Sequence, residues 1–84
     1  MFGNRIYHLG KVLEKRLESH LIQGALDYIQ FNEEPLAFEI LCDHISEYDI
    51  EITAEEYDEV CDLARDMKLD INAAPFKYLK ELVL

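Results

Sequence analysis

The acidic residues of this 84-residue sequence are the ones whose number and spacing point to a chemical role. No Lys or Arg occurs between Arg16 and Arg65. Within that interval, residues 33–62 contain twelve carboxylates: Glu33, Glu34, Glu39, Asp43, Glu47, Asp49, Glu51, Glu55, Glu56, Asp58, Glu59 and Asp62. Negative charge concentrated in this way accelerates association with a basic partner and discriminates against other proteins. The competing interpretation is a solvated surface, because exposed charges usually contribute little by themselves.

The helical spacing of these carboxylates bears on the choice between a binding surface and a solvated surface. Glu39, Asp43 and Glu47 recur every four residues, opposite a predicted apolar face. A second stripe on the next predicted helix consists of Glu55, Asp58, Glu59, Asp62 and Asp66. Like charges four residues apart destabilise a helix by about 0.2–0.5 kcal/mol per pair. The helix dipole accounts for Glu55 and Glu56 in a first turn but not for Asp43, Glu47, Asp62 or Asp66, so both interpretations stay open.

An aromatic residue accompanies the first acidic stripe. Tyr48 ends the third predicted helix and is followed by Asp49. A tyrosine beside carboxylates is a common composition for an interface that faces Arg and Lys. Tyr48 is therefore a candidate anchor of a binding surface, with the last core residue of its helix as the alternative. We assign Tyr57 to the core.

Catalytic, metal-binding and carrier chemistry is not indicated. The three histidines show no metal-ligand spacing, and Cys42 and His44 are two residues apart on a predicted helix, where they do not face each other. The sequence has no calcium loop, P-loop, G-x-S-x-G or CxxC motif. Neither Ser19 nor Ser46 has the Asp-Ser-Leu setting of a phosphopantetheine carrier. We expect no enzyme, no cofactor and no metal.

Composition limits the class of protein. A hydrophobic content of 50% is too high for a disordered acidic tail, and the length allows one domain over 1–84. A net charge of −10 argues against nucleic acids and acidic membranes as partners. No apolar run is long enough for a membrane span or a secretory signal, so we expect a cytoplasmic protein. Cys42 and Cys61 are too few for a disulfide scaffold and are interpreted as reduced core residues.

Apolar residues with helical spacing predict an all-α fold, a compact bundle of four to five short helices. The first helix, with a basic polar side, carries Ile6, Leu9, Leu13 and Leu17 on one face. A second helix over 21–29 has Ser19 as its N-cap, and Gly24 within it indicates close packing. The third helix covers 36–48 after Pro35, and its wide apolar arc is typical of a central helix.

The C-terminal half has one well-marked helix start. Thr53 and Glu56 form a capping box that opens the fourth helix. A fifth short helix is predicted over 73–82, with Asn72 as its cap and Pro75 in its first turn. Residues 50–52 could be extended, but no second strand is predicted to pair with them. The basic first helix could dock against its acidic neighbours or reach a partner.

The segments 25–49 and 52–70 together resemble the MafI family of bacterial immunity proteins. The most specific part of the resemblance is the run Leu36-Ala-Phe-Glu-Ile-Leu-Cys-Asp43, followed by an acidic turn and the helix that contains Tyr57. The resemblance covers about three quarters of the chain and rests on a pattern of packing and charge. It implies a cytoplasmic protein that neutralises an incoming toxin domain, frequently a ribonuclease of the EndoU type.

We therefore expect 1:1, non-covalent occlusion of the basic substrate surface of a nuclease toxin domain by an acidic helical face. The expected contact residues are Glu39, Asp43, Glu47, Tyr48, Asp49, Asp58, Asp62 and Asp66. One alternative is an acidic nucleic-acid mimic or adaptor that binds a basic protein other than a toxin. Another is an oligomerising domain whose apolar end, 82–84, packs against a second copy.

Overall fold

The chain folds into four α-helices and two 3₁₀ helices, described over residues 1–84 by a computed structural model. The α-helices are α1 (Gly3–Val12), α2 (Ser19–Leu26), α3 (Glu34–Glu47) and α4 (Ala54–Asp66). One 3₁₀ helix, Asp27–Phe31, continues α2, and a C-terminal 3₁₀ helix covers Phe76–Leu82. The predicted all-α fold is confirmed.

The helix α3 lies at the centre of the core, as its apolar arc predicts. It packs against α1, α2 and both 3₁₀ helices. Its buried side chains are Ala37, Phe38, Leu41, Cys42 and Ile45. The core holds 18 buried hydrophobic residues and no buried polar or charged residue. Because one side of α3 is committed to this core, its carboxylates are left on the opposite side.

The start of α2 differs from the prediction. Ser19 is the first residue of the helix and not its N-cap. Glu18 occupies the cap position with an extended backbone, φ −62° and ψ 140°, and its carbonyl accepts the first helical hydrogen bonds. No side chain caps this helix, because the residue with the capping backbone conformation is Glu18.

Close helix packing occurs at Gly10 and not at Gly24. A Cβ atom on Gly10 would lie 3.1 Å from Leu26 Cδ1 and 3.2 Å from Ile22 Cγ2, so the missing side chain lets α1 approach α2. No atom lies within 4 Å of the corresponding position at Gly24, which is exposed. The expected close contact at Gly24 was therefore wrong.

Capping at the start of α4 follows the prediction. The Glu56 backbone N–H donates to Thr53 Oγ1 over 3.1 Å, and the Thr53 N–H donates to Glu56 Oε1 over 2.9 Å. The capping box satisfies two of the amides that a helix start leaves without intrahelical partners. It fixes where α4 begins, and hence which of its carboxylates share a face.

The C-terminal segment contains less regular helix than predicted. The 3₁₀ helix begins at Phe76, after a cis peptide bond between Ala74 and Pro75, whereas an α-helix was expected over 73–82. The expected cap, Asn72, instead donates its backbone N–H to Asp70 Oδ1 over 2.9 Å. This local contact of an aspartate with the amide two residues later favours a turn over a helix start.

Residues 50–52 do find a pairing partner, contrary to the prediction. Ile52 forms an isolated parallel β-bridge with Val83. The Ile52 N–H donates to the Leu82 carbonyl over 3.0 Å, and the Leu84 N–H donates to the Ile52 carbonyl over 2.9 Å. Leu82 and Val83 are half-buried against the core of their own chain. Much of the apolar C-terminal segment is thus packed within the molecule.

Candidate protein-binding surface

Three carboxylates on α3 form the first part of the candidate surface. Glu39, Asp43 and Glu47, here called the α3 stripe, follow each other at intervals of one helical turn. Asp43 and Glu47 are exposed and Glu39 is half-buried. None of the three takes part in a side-chain hydrogen bond or an ion pair within the molecule. The α3 stripe therefore keeps its negative charge available to a second molecule.

Tyr48 and Asp49 continue this surface beyond the end of α3. The Tyr48 side chain is 51% exposed, which excludes the core position considered as its alternative. Its ring lies 6.2 Å from the ring of His44, centroid to centroid. Asp49 has φ 51°, and the next amide, that of Ile50, donates back to the Ile45 carbonyl over 3.0 Å. This left-handed turn ends the helix and holds Tyr48 and Asp49 at its rim.

The stripe on α4 is partly neutralised by α1. Arg5 Nε lies 3.1 Å from Glu59 Oε1, and Arg5 Nη1 lies 2.9 Å from Asp66 Oδ2. The pKa of the Asp66 carboxyl is held below its ordinary value, chiefly because Arg5 donates a hydrogen bond to it. Asp66 was expected to contact a partner, and the structure gives it a contact within the chain.

The other two predicted contact residues of α4 differ in whether they have an ion-pair partner within the chain. Asp62 lies 3.1 Å from Arg65 Nη2, in an exposed ion pair between residues three apart. Asp58 is exposed and has no ion-pair partner. Of the predicted α4 contacts, only Asp58 therefore presents a carboxylate as free as those of the α3 stripe.

Arg16 is the second residue through which the basic N-terminal segment docks on α4. Its Nη1 and Nη2 atoms lie 2.8 Å and 2.6 Å from the two carboxylate oxygens of Glu56. The same guanidinium donates to the carbonyls of Val12 and Glu51, over 2.8 Å and 2.9 Å. The pKa of Glu56 is consequently lowered, with the Arg16 hydrogen bonds as the largest cause. The sequence left open whether the basic first helix docks against its acidic neighbours or reaches a partner. Arg5 and Arg16 pair with carboxylates within the molecule.

The predicted contact residues lie on two helices, α3 and α4, that are not packed closely side by side. Five of them, Glu39, Asp43, Glu47, Tyr48 and Asp49, belong to α3 and its C-terminal turn. The other three belong to α4, which packs on the C-terminal 3₁₀ helix and is not closely packed against α3. The cleft beside α4, about 470 Å³, lies between it and α1. The coherent candidate surface is the α3 stripe with its terminal turn.

The remaining reactive groups are buried to different extents. Cys42 is completely buried, and burial raises the pKa of its thiol well above the ordinary value, so the group stays protonated. Cys61 is also free, but it is half-buried and is not one of the buried core residues, so the core position expected for it was wrong. Tyr57, expected in the core, is half-buried and packs against it, and burial raises the pKa of its hydroxyl. One atom, Nδ1 of His44, is buried without a hydrogen-bond partner.

Metal-binding clusters and membrane-spanning helices are not found in the molecule. No group of three or more His, Cys, Asp or Glu side chains is arranged to hold a metal ion. None of the helices has both the length and the apolar character needed to cross a membrane. In comparisons with known proteins, no family model, no curated protein and no solved structure matches the chain.

Proposed function

We propose that this protein is an immunity protein of the MafI type, which binds and neutralises the nuclease toxin domain of a contact-dependent inhibition or polymorphic toxin system. The toxin domain is the C-terminal, ribonuclease-like part of a secreted protein, and the immunity protein acts in the cytoplasm as a 1:1 inhibitor and not as an enzyme. The proposal is supported by the resemblance of residues 25–49 and 52–70 to that family and, independently, by the distribution of charge.

The observation that carries the proposal is the unpaired state of the α3 stripe. Where α4 carboxylates lie near the basic segment, Arg5 and Arg16 neutralise them. The α3 stripe has no such cation, although like charges one turn apart destabilise the helix that bears them. Stability alone favours a lysine among them, and a basic partner supplies the missing positive charge.

Inhibition follows from competition for one surface. A nuclease binds the phosphates of its substrate through Lys and Arg side chains. The α3 stripe and Asp49 present carboxylates to the same cations, and Tyr48 provides an exposed aromatic side chain among them. Tyrosine is enriched at the centres of protein interfaces because it buries a large area with few rotatable bonds. The substrate is excluded once this acidic surface covers its basic site.

The proposed function is tested by calorimetric titration of the protein with a candidate toxin domain, the C-terminal domain of a large secreted protein whose gene neighbours that of this chain. Tight 1:1 binding that weakens as salt increases is the expected result, since screening reduces attraction between exposed charges. Tight binding indifferent to salt would retain the immunity role but move the contact to apolar residues. Absence of binding at low and high salt would overturn the proposal and favour an acidic mimic or adaptor of another basic protein.

A further inference from the structure

A groove beside the α3 stripe joins two of its carboxylates to an apolar floor. The groove has a volume of about 280 Å³ and is lined by Leu36, Glu39, Ile40, Asp43, Ala74 and Pro75. Four of these residues are apolar, and they come from α3 and from the turn that precedes the C-terminal 3₁₀ helix. Glu39 and Asp43 lie one turn apart on the α3 side, so their carboxylates can act on one ligand group.

This groove differs from the other clefts in having two acidic groups without an ion-pair partner and no basic side chain in its lining. In the cleft between α1 and α4, two of the three lining glutamates, Glu56 and Glu59, are occupied by Arg16 and Arg5. A cleft of about 610 Å³ near the end of α4 is itself lined by basic side chains. Only the α3 groove combines an apolar floor with two free carboxylates and no basic lining residue.

Arginine is the side chain that this molecule already uses for such pairs of carboxylates. Arg5 spans Glu59 and Asp66, which lie on one face of α4. A guanidinium offers five donors in a planar fork, which lets it bond two carboxylates at once, whereas an ammonium acts as a compact point charge. Its methylene stem also packs on apolar surface.

We propose that the groove formed by α3 and the 74–75 turn receives an arginine side chain of the basic partner, with its guanidinium on Glu39 and Asp43. The stem of this arginine lies on Leu36, Ile40 and Pro75. Charge complementarity and the apolar floor select this occupant over an acidic or purely apolar one. The identity of the partner rests on the proposed function, but the chemistry of the groove does not.

The groove is tested with N-acetyl-L-arginine amide as the probe and the ¹⁵N-labelled full chain, observed by NMR at low ionic strength. We expect saturable shifts concentrated on the amides of residues 36–43 and on those of Ala74 and Phe76, which flank Pro75. The double variant Glu39→Gln/Asp43→Asn should weaken binding by about fivefold, the effect of losing about 1 kcal/mol. The matched control Glu51→Gln/Glu55→Gln removes the same charge from exposed positions outside the groove and outside the predicted contact surface, and it should leave the affinity nearly unchanged.

Other outcomes would overturn this inference. Shifts spread over all acidic surfaces, or equal weakening in both variants, would indicate diffuse attraction and no groove. Equal binding of the lysine derivative would remove the preference for a guanidinium, and equal binding of the neutral citrulline derivative would remove the role of the carboxylates. Since the toxin domain is not used, these results are independent of the calorimetric titration. Failure of that titration would overturn the proposed function even where arginine occupies the groove.

Discussion

Arg16 and Glu56, 40 residues apart in the sequence, form a two-pronged ion pair in which Nη2 lies 2.6 Å from Oε2. Glu56 also completes the capping box with Thr53, so one carboxylate orients both the start of α4 and the turn after α1. Arg16 in turn donates to the carbonyl of Glu51. Arg16, which the sequence assigns to the basic side of the first helix, therefore acts in the structure as a connector between three segments of the chain.

Replacing Arg16 should lower stability more than replacing its neighbour. Arg16→Ala removes hydrogen bonds to a charged and largely shielded carboxylate, and we expect the free energy of unfolding to fall by about 1–2 kcal/mol. Lys15 is exposed and has no ion-pair partner, so Lys15→Ala should change it by less than about 0.5 kcal/mol. Urea unfolding of both variants provides the measurement. Equal midpoints for the two variants would contradict the connector role of Arg16.

The ion pair of Arg16 and Glu56 also predicts that the free energy of unfolding depends on pH in the acidic range. The pKa of Glu56 is lower in the folded chain, chiefly because Arg16 donates to its carboxylate. A lowered carboxyl pKa contributes stability that is present above the unfolded value of about 4.3 and is lost as the pH falls through the folded value. We therefore expect the free energy of unfolding to decline between about pH 5 and pH 3, and Glu56→Gln to remove part of that decline.

The control for this pH series is Glu55→Gln, because Glu55 is exposed and has no ion-pair partner. Its unfolding free energy should retain the slope of the unmodified protein. The curve of Glu56→Gln should converge with the unmodified curve as the carboxylates become protonated. Parallel curves over the whole range would show that the ion pair contributes nothing to acid sensitivity.

The glycines in the interiors of α1 and α2, Gly10 and Gly24, should respond in opposite ways to alanine. Gly24 is exposed and its Cβ position is open, so Gly24→Ala should raise the free energy of unfolding by about 0.5–1 kcal/mol through helix propensity. At Gly10 the new methyl would meet Leu26 and Ile22 at 3.1 Å and 3.2 Å. The packing strain should offset the gain there or reverse it. Thermal unfolding measures the pair, and an equal gain at both sites would contradict the close approach of α1 to α2.

Features of the fold that depend on neighbouring residues could be predicted from the sequence. The capping box of Thr53 and Glu56 needs only a spacing of three residues, and the burial of Phe38 follows from the period of α3. Contacts between distant segments had no such signal. Glu34 at the start of α3 accepts the N–H of Gly3 over 2.8 Å, and Ile52 pairs with Val83, each across 31 residues.

In the candidate site, too, features set by neighbouring residues could be predicted, whereas contacts with distant segments could not. Periodicity places Asp43 and Asp66 on the solvent side of their helices, and both predictions of exposure are confirmed. It does not indicate what faces each of them, and Arg5 reaches Asp66 across 61 residues. The groove was missed for the same reason, because Pro75 joins it from a distant turn. The period of a helix defines its faces, whereas the packing of other segments determines which carboxylates stay free.

Removing charge from the α3 stripe should therefore affect binding, and removing it from Asp66 should affect mainly stability. In Glu39→Gln/Asp43→Asn/Glu47→Gln, no internal ion pair is lost. If the proposed function is correct, the affinity for the proposed toxin-domain partner should fall by about tenfold or more at low salt. Its salt dependence should become shallower, because contacts between charges at an interface steer association.

The matched variant for this comparison is Asp66→Asn, which removes the negative charge from the contact with Arg5 while leaving the α3 stripe intact. Its affinity should change by less than about threefold, since exposed ion pairs are weak, and its unfolding midpoint should decrease slightly. Calorimetry at two salt concentrations and urea unfolding separate the two effects. If Asp66→Asn weakened binding as much as the triple variant, the contact surface would include α4, and Arg5 would compete with the partner for that carboxylate.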